Sequence, residues 1–376
     1  MDTVLIRDLV QTQEVEIKTG PFGTQLKASE YVDRGTPVLN VRNLGFSTVN
    51  TEKIEMVGNE TIKRLSAHTL HTGDIVFGRK GAVERHAFIS EFEDGWMQGS
   101  DCIRLRVKNE RINARYLSYY FLTPQHRSFM LSMCSHGTTM ASLNQKIIEM
   151  ISIPLPERKV QDQVVAVLSA LDEKIKNNQE INDNLQQQAQ AIYSSMFIDN
   201  SESAWTHGHL SDLVTVKYGK DHKKLSEGIY PVYGSGGIMR YVERPLYDKE
   251  SVLIPRKGTL NNVMYVNQPF WSVDTMFYTE MKLPNVAKFV YHFVKAKDLA
   301  SMNAGSAVPS MTTDILNAME VVIPSASALE EFEALVAPMY EAMEANDVQS
   351  QALSKVRDTL LPKLMSGEID VSSVLL

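Results

Sequence analysis

Two distant stretches of this chain follow the same plan. Residues 137–156 read GTTMASLNQKIIEMISIPLP, and residues 305–324 read GSAVPSMTTDILNAMEVVIP. Each runs from a Gly-led polar loop through an amphipathic segment into a β-branched strand that stops at proline. Upstream, GDIVFGRKGAV (73–83) is matched by ESVLIPRKGTL (250–260), each followed by a Trp (Trp96, Trp271) and then an Asp (Asp101, Asp274). Gly137 and Gly305 lie 168 residues apart, and Arg79 and Arg256 lie 177 apart. A period of this size is too long for a solenoid repeat. It implies two domains of one type, each followed by a long helical pattern.

The length of 376 residues suits two domains that each bury a core. MDTVLIRDLV lacks the cationic start and long apolar run of a signal peptide, and no stretch approaches the ~20 apolar residues of a membrane helix. Cys102 and Cys134 are too few for a disulfide framework or a cysteine zinc site. They are expected to be buried thiols of a cytoplasmic protein. Net charge is −7 but unevenly spread. Residues 18–150 carry 17 Lys+Arg against 13 Asp+Glu, and 201–320 carry 13 against 12. The helical stretches are acidic, with 4 against 7 in 151–200 and 3 against 9 in 321–376. That split suits globular units that meet phosphate and helices that do not.

The first unit, 1–153, reads as mixed α/β (α+β). Strand patterns occur at 35–44, 73–81, 86–90 and 100–107, and a helical pattern at 113–133. The second, 204–323, repeats this with strands at 230–238, 251–258 and 262–266 and a helix at 285–299. Between and after them lie helical segments 154–203 and 324–376. In the first, Val164, Leu168, Leu171, Ile175, Asn178, Asn182, Leu185, Ala189, Ile192 and Met196 alternate steps of four and three, a coiled-coil seam. In the second, Phe332, Val336, Met339, Met343, Asn346, Ser350, Leu353, Arg357, Leu360 and Leu364 hold the same phase. Each seam needs cover. The simplest cover is an antiparallel pairing with Asn178 facing Asn346; the alternative packs each helix on its own domain.

These residues resemble a known family. KTGPFGTQLKASEY (18–31), the run from Gly137 to Ile175 with its ISIPLP junction, and KVRDTLLPKLMSGEIDV (355–371) are similar to the specificity subunit of type I restriction-modification systems, over essentially the whole chain. Ser325-Ala326 departs from the second proline usual at the junction. The resemblance implies two target-recognition domains separated by paired antiparallel helices, with an internal pseudo-twofold repeat. It implies a non-catalytic reader of a bipartite, asymmetric site in double-stranded DNA. The implied partners are modification subunits, two of them, that use S-adenosylmethionine, and restriction subunits that use ATP and Mg. The specificity partner of a combined type II methyltransferase–nuclease is the alternative within this class, and a coiled-coil adaptor that does not bind DNA is the alternative outside it.

The residues themselves offer no chemistry of their own. There is no Asn-Pro-Pro-Tyr or Asp-Pro-Pro-Tyr element, no phosphate-cradling GxxxxGK[ST] loop and no dinucleotide fingerprint. His68 and His71 lack an evident third ligand, and Asp172-Glu173-Lys174 reads as a solvated helix face. No catalytic, cofactor or metal site is expected in this chain.

Reading a duplex needs donors that reach base edges and cations on phosphate. Arg79-Lys80 and Arg256-Lys257 end strands at a glycine, and could serve bases, phosphates or solubility. The Gly-led loops offer Thr138, Thr139 and Asn144, matched in part by Ser306 and Ser310; alternatively they only start helices, with Ser142 and Gln145 as a capping box. Residues that differ between units are the better specificity candidates: Gln25, Lys27, Asn40, Arg42 and Asn43 in the first, Lys223, Lys224, Asn261 and Asn262 in the second. Leu168, Leu171, Ile175, Asn178, Leu185 and Ile192, with Val336, Met339, Met343, Asn346, Leu353 and Leu360, are the expected helix-pair interface. A helix of about 40 residues spans roughly 60 Å, about 17 base pairs as an upper limit.

Overall fold

The computed structural model describes residues 3–22, 25–134, 142–202, 204–302 and 310–371. The chain divides into two compact units, residues 1–177 with 349–376, and residues 178–348.

In the first unit the strands are β1 (Thr3–Leu5), β2 (Val15–Thr19), β3 (Tyr31–Val32), β4 (Thr36–Leu39), β5 (Glu55–Val57), β6 (Ile75–Gly78), β7 (His86–Phe88), β8 (Met97–Gln98), β9 (Cys102–Val107) and β10 (Ser152–Pro154). In the second they are β11 (Thr206–His209), β12 (Val214–Tyr218), β13 (Tyr230–Gly234), β14 (Gly237–Val242), β15 (Ser251–Pro255), β16 (Met264–Val266), β17 (Trp271–Ser272), β18 (Met276–Met281) and β19 (Glu320–Ile323). The helices are α1 (Ile6–Gln11), α2 (Asn59–Arg64), α3 (Ala114–Tyr120), α4 (Pro124–Cys134), α5 (Gln145–Glu149), α6 (Arg158–Ser194), α7 (Leu210–Leu213), α8 (Ala287–Lys295), α9 (Thr313–Asn317) and α10 (Ala326–Ser366).

The duplication seen in the sequence is present in the hydrogen bonding. An antiparallel sheet β2-β9-β6-β7 in the first unit corresponds to β12-β18-β15-β16 in the second. A second sheet follows in each, with one parallel pairing, β4 on β8 and β13 on β17. A two-stranded pair closes each unit: Thr3 lies opposite Pro154, and Thr206 opposite Ile323. The expected helix over 113–133 is split into α3 and α4 at Pro124, whose missing N–H and fixed φ end one helix and start the next.

The long helices contribute to the globular cores. In the first unit Val164 and Leu168 of α6, and Leu361 and Leu364 of α10, join the cluster of Ile75, Ile103, Tyr116 and Ile153. In the second, Ala189 of α6, with Phe332 and Val336 of α10, joins Val252, Ile254, Phe277 and Phe289. Burying one such aliphatic or aromatic side chain contributes about 1.5–3 kcal/mol. Packing on the domain and packing helix to helix are therefore both realised, at different levels of the same seam. Cys102 and Cys134 are both buried in the first unit, and burial pushes both thiols above their usual range.

At the polar level of the second unit, Asn178 Nδ2 donates to the Asn346 carbonyl at 3.3 Å. Asn346 Nδ2 donates to Asn182 Oδ1 at 2.9 Å, and Asn182 Nδ2 donates to the Met343 carbonyl at 3.1 Å. The partner number falls as the α6 number rises, so this pairing is antiparallel. Asn178 is fully buried, while Leu185, Ile192, Met339, Met343 and Asn346 are partly covered around it. In the first unit Leu171, Ile175, Leu353 and Leu360 are likewise partly covered.

Asp172 departs from the expected solvated face. Its carboxylate accepts from Arg357 Nη1 at 3.0 Å and from the Tyr119 hydroxyl at 2.7 Å. Packing of α3 against α6 creates this site, and helical periodicity alone carries no trace of it.

Candidate nucleic-acid interface

The Arg-Lys-Gly tripeptides follow β6 and β15, and both glycines have positive φ, 77° at Gly81 and 86° at Gly258. A side chain would strain the backbone there, so glycine allows the sharp turn. Each arginine is anchored through its backbone in the same way. Arg79 N donates to the Asp101 carbonyl, and its own carbonyl accepts from Leu143 N, both at 2.8 Å. Arg256 N donates to the Thr275 carbonyl and its carbonyl accepts from Met311 N, both at 2.9 Å. The following lysines bridge to the Gly-led loops, Lys80 to Ser142 and Lys257 to Ser310. The tripeptides and the described ends of the Gly-led loops, from Ser142 and from Ser310 onward, therefore form one ledge in each unit.

Both guanidiniums lie over an exposed aromatic ring. Arg79 is 5.7 Å from the Phe22 centroid and Arg256 is 5.4 Å from that of Tyr218. Phe22 and Tyr218 are 59% and 51% exposed, so neither ring is there for the core. An Arg held over a ring has its rotamer restricted, and Arg256 Nη1 also donates to the Asp274 carbonyl at 3.2 Å. The sequence reading missed both rings. Phe22 follows the glycine that ends β2 by two residues, whereas Tyr218 precedes its glycine, so no alignment of the two units pairs them. Those glycines are forced by close approach: a Cβ at Gly20 would meet the Gly99 carbonyl oxygen at 2.0 Å, and one at Gly219 the Val273 oxygen at 2.0 Å.

The ledge and the neighbouring candidate loops carry unpaired cations. Arg79, Lys80, Arg256, Lys257, Lys27, Lys223 and Lys224 form no ion pair with a described carboxylate. Other basic side chains are matched, as in Arg64 with Glu30, Arg106 with Asp74, Arg111 with Glu14 and Lys288 with Glu333. Unmatched cations beside exposed rings suit a polyanion carrying bases.

Several expected contact residues also hold the fold together. Asn43 is fully buried, and its Nδ2 donates to the Asn50 carbonyl at 2.9 Å, so it is corrected from base contact to loop anchor. Asn40 Nδ2 donates to Glu55 at 2.8 Å, and Arg42 pairs with the same carboxylate at 2.9 Å. Asn144 Oδ1 accepts from Ile147 N and caps α5, displacing Ser142 from the expected capping box; Thr312 caps α9 in the same way. Asn261 bridges Asp298 and Ala300 N, and Asn262 Nδ2 donates to the Ser235 carbonyl at 2.8 Å. These amides hold the loops that flank the ledge. Gln25 and Lys27 are exposed, with the Gln25 carbonyl accepting from Arg64. Thr138, Thr139 and Ser306 lie outside the described residues.

Among the described residues no group of His, Cys, Asp and Glu side chains is arranged to hold a metal ion, and no helix is long and apolar enough to cross a membrane. The buried histidines serve packing. His86 Nε2 meets Ser118 Oγ at 2.9 Å, and His292 lies between Gln190 at 2.8 Å and Tyr340 at 3.0 Å. Burial holds His86 and His126 down at about 3 and His292 at about 4.

The family model described as type I restriction modification DNA specificity domain matches residues 26–187 and 202–331. The MjaIX specificity subunit of Methanocaldococcus jannaschii is 23% identical, over 71% of this chain and 72% of that protein. The HindI specificity subunit of Haemophilus influenzae is 18% identical, over 88% and 92%. Among solved structures, an S subunit of a type I restriction-modification system from M. genitalium matches with a TM-score of 0.60 and 17% identity, over 97% of this chain and 96% of that one.

Proposed function

The chain belongs to the type I restriction-modification DNA specificity family, and we propose that it is the subunit that reads DNA for such a complex. Each unit reads one block of a bipartite, asymmetric site in double-stranded DNA. The observation that carries this reading is the ledge built twice: an arginine over an exposed ring, an unmatched lysine, and a polar loop bonded to both. Arginine donors suit guanine O6 and N7, and the lysines suit phosphate.

The shared ledge supplies docking, and the loops that differ around it supply discrimination. The helical segments dock the modification subunits, two per chain, which bring S-adenosylmethionine and the methyl transfer. Restriction subunits bring ATP and Mg. This chain contributes no catalytic group and works in the cytoplasm. With acidic helices and only mildly basic units, the isolated chain binds DNA weakly and needs the modification subunits for positive surface.

The test is sequencing of methylated bases in a host expressing the chain with its modification subunit. A bipartite motif should appear, vanish on deletion of this gene, and change in one block only when residues 204–323 are exchanged for those of a relative. Methylation independent of this gene would refute the reading. So would a change in both blocks after the exchange.

A further inference from the structure

Beside the ledge of the second unit stands an apolar tip that the shared framework does not require. Strand β14 is the edge of the sheet β14-β13-β17. Along it Tyr233 pairs with Ile238 and Val232 with Arg240, so Met239 is the extra residue of a β-bulge. Bulges re-aim side chains and gather at sheet edges and beside functional sites. Met239 is 61% exposed and Ile238 46% exposed, although both are residues that ordinarily pack inside.

The position of this tip is fixed by contacts with the ledge. A Cβ at Gly234 would lie 2.5 Å from Met239 Sδ, so the thioether rests against the start of the turn joining β13 to β14. The next residue, Ser235, lends its carbonyl to Asn262. A Cβ at Gly258, the glycine of the Arg256-Lys257-Gly258 turn, would lie 2.5 Å from Ser235 Oγ. The apolar tip therefore adjoins the unmatched cations of Arg256 and Lys257. A duplex offers phosphate to the cations and, in the major groove, one apolar group, the C5-methyl of thymine.

We propose that Met239, supported by Ile238, is a specificity-determining residue of the second unit, reading thymine methyl groups in its half-site. This rests on the DNA-reading function above. In the first unit no described residue stands within 4 Å of where a Cβ would lie on the turn glycine Gly81, and the exposed Phe46, bracketed by Arg127 at 4.7 Å and Arg85 at 5.5 Å, lies along β7 at His86 instead.

The experiment uses the full chain with its modification subunits and duplexes bearing the methylated motif, with each thymine of the second half-site replaced in turn by uracil. That replacement removes only the methyl group. One position should lose about three- to tenfold in affinity with the wild-type complex. With Met239→Ala, thymine and uracil should bind equally there, while the first half-site keeps its discrimination and the modification subunits still co-purify. A half-site without thymine, uracil tolerated everywhere by the wild type, or Met239→Ala weakening every duplex alike would each overturn the proposal. Loss of co-purification with discrimination intact would reassign the tip to a protein contact. If the wild-type complex showed no sequence preference at all, the DNA-reading function itself would fail instead.

Discussion

The two units share a backbone plan and hold their long helices by different chemistry. In the first, α3 presents Arg115 and Tyr119 to Asp172, which also receives Arg357. In the second, α8 presents Lys288 and His292 at the matching positions. Lys288 is almost fully buried and ion-pairs with Glu333 at 2.6 Å and Glu250 at 3.2 Å. His292 bridges Gln190 and Tyr340, and Tyr340 stands where Asp172 stands, 168 residues on. One unit uses a half-buried charged hub, the other a neutral bridge beside a buried ammonium. The difference shows that duplication preserved the need to tie each domain to its helices without preserving the residues that do it.

The sharpest way to break this comparison is to remove one acid from each tie. Glu333→Ala leaves a buried ammonium with only Glu250, and should cost about 2–3 kcal/mol, toward the lower end for breaking a buried pair. Asp172→Ala frees groups that reach water more easily and should cost about 1–2 kcal/mol. Urea unfolding, with hydrogen exchange on peptides from each unit, would measure both. Equal losses would show that burial does not separate the two ties.

Acidification acts on each unit through its buried histidines. His86, His126 and His292 are held neutral in the folded chain, with pKa values well below the ordinary 6.5. The unfolded chain therefore binds more protons between 6.5 and those values. Stability is complete above pH 6.5 and falls as pH drops. At pH 5 each such histidine costs about 2 kcal/mol. Among the described residues the first unit holds His86 and His126, with His68 lowered by burial as well, and the second holds His292, so the first should lose protection faster between pH 7 and 5. A uniform decline in exchange protection would contradict this assignment.

The smallest effect falls on the ledge. Lys80→Ala and Lys257→Ala should each weaken DNA binding by the complex evenly across sequences and lower the salt-dependence slope by about 1. A change in the methylated motif instead would make these lysines base readers.

What the sequence revealed follows from periodicity. The duplication, the paired seams and the meeting of Asn178 with Asn346 rest on spacing, which a chain carries openly. What it hid depends on neighbours brought from afar. Asp172 becomes a hub only once α3 arrives, and Asn43 is buried because residues 50 and 52 fold back over its amide. Phe22 and Tyr218 reach equivalent places from non-equivalent positions. Asn261 and Asn262 read as donors for DNA because side-chain type is visible in sequence and the loops that claim those donors are not.

The short pairing of β11 with β19 has a consequence at the level of the gene. Thr206 and Ile323 lie opposite one another, so the segment between them leaves the framework where it entered. A crossover with breakpoints near these codons would trade one entire reader for another and leave only a four-residue ribbon and the helix contacts to re-form. Inheritance can thus replace half of a recognition site in a single event, provided the incoming domain still fits the helix contacts.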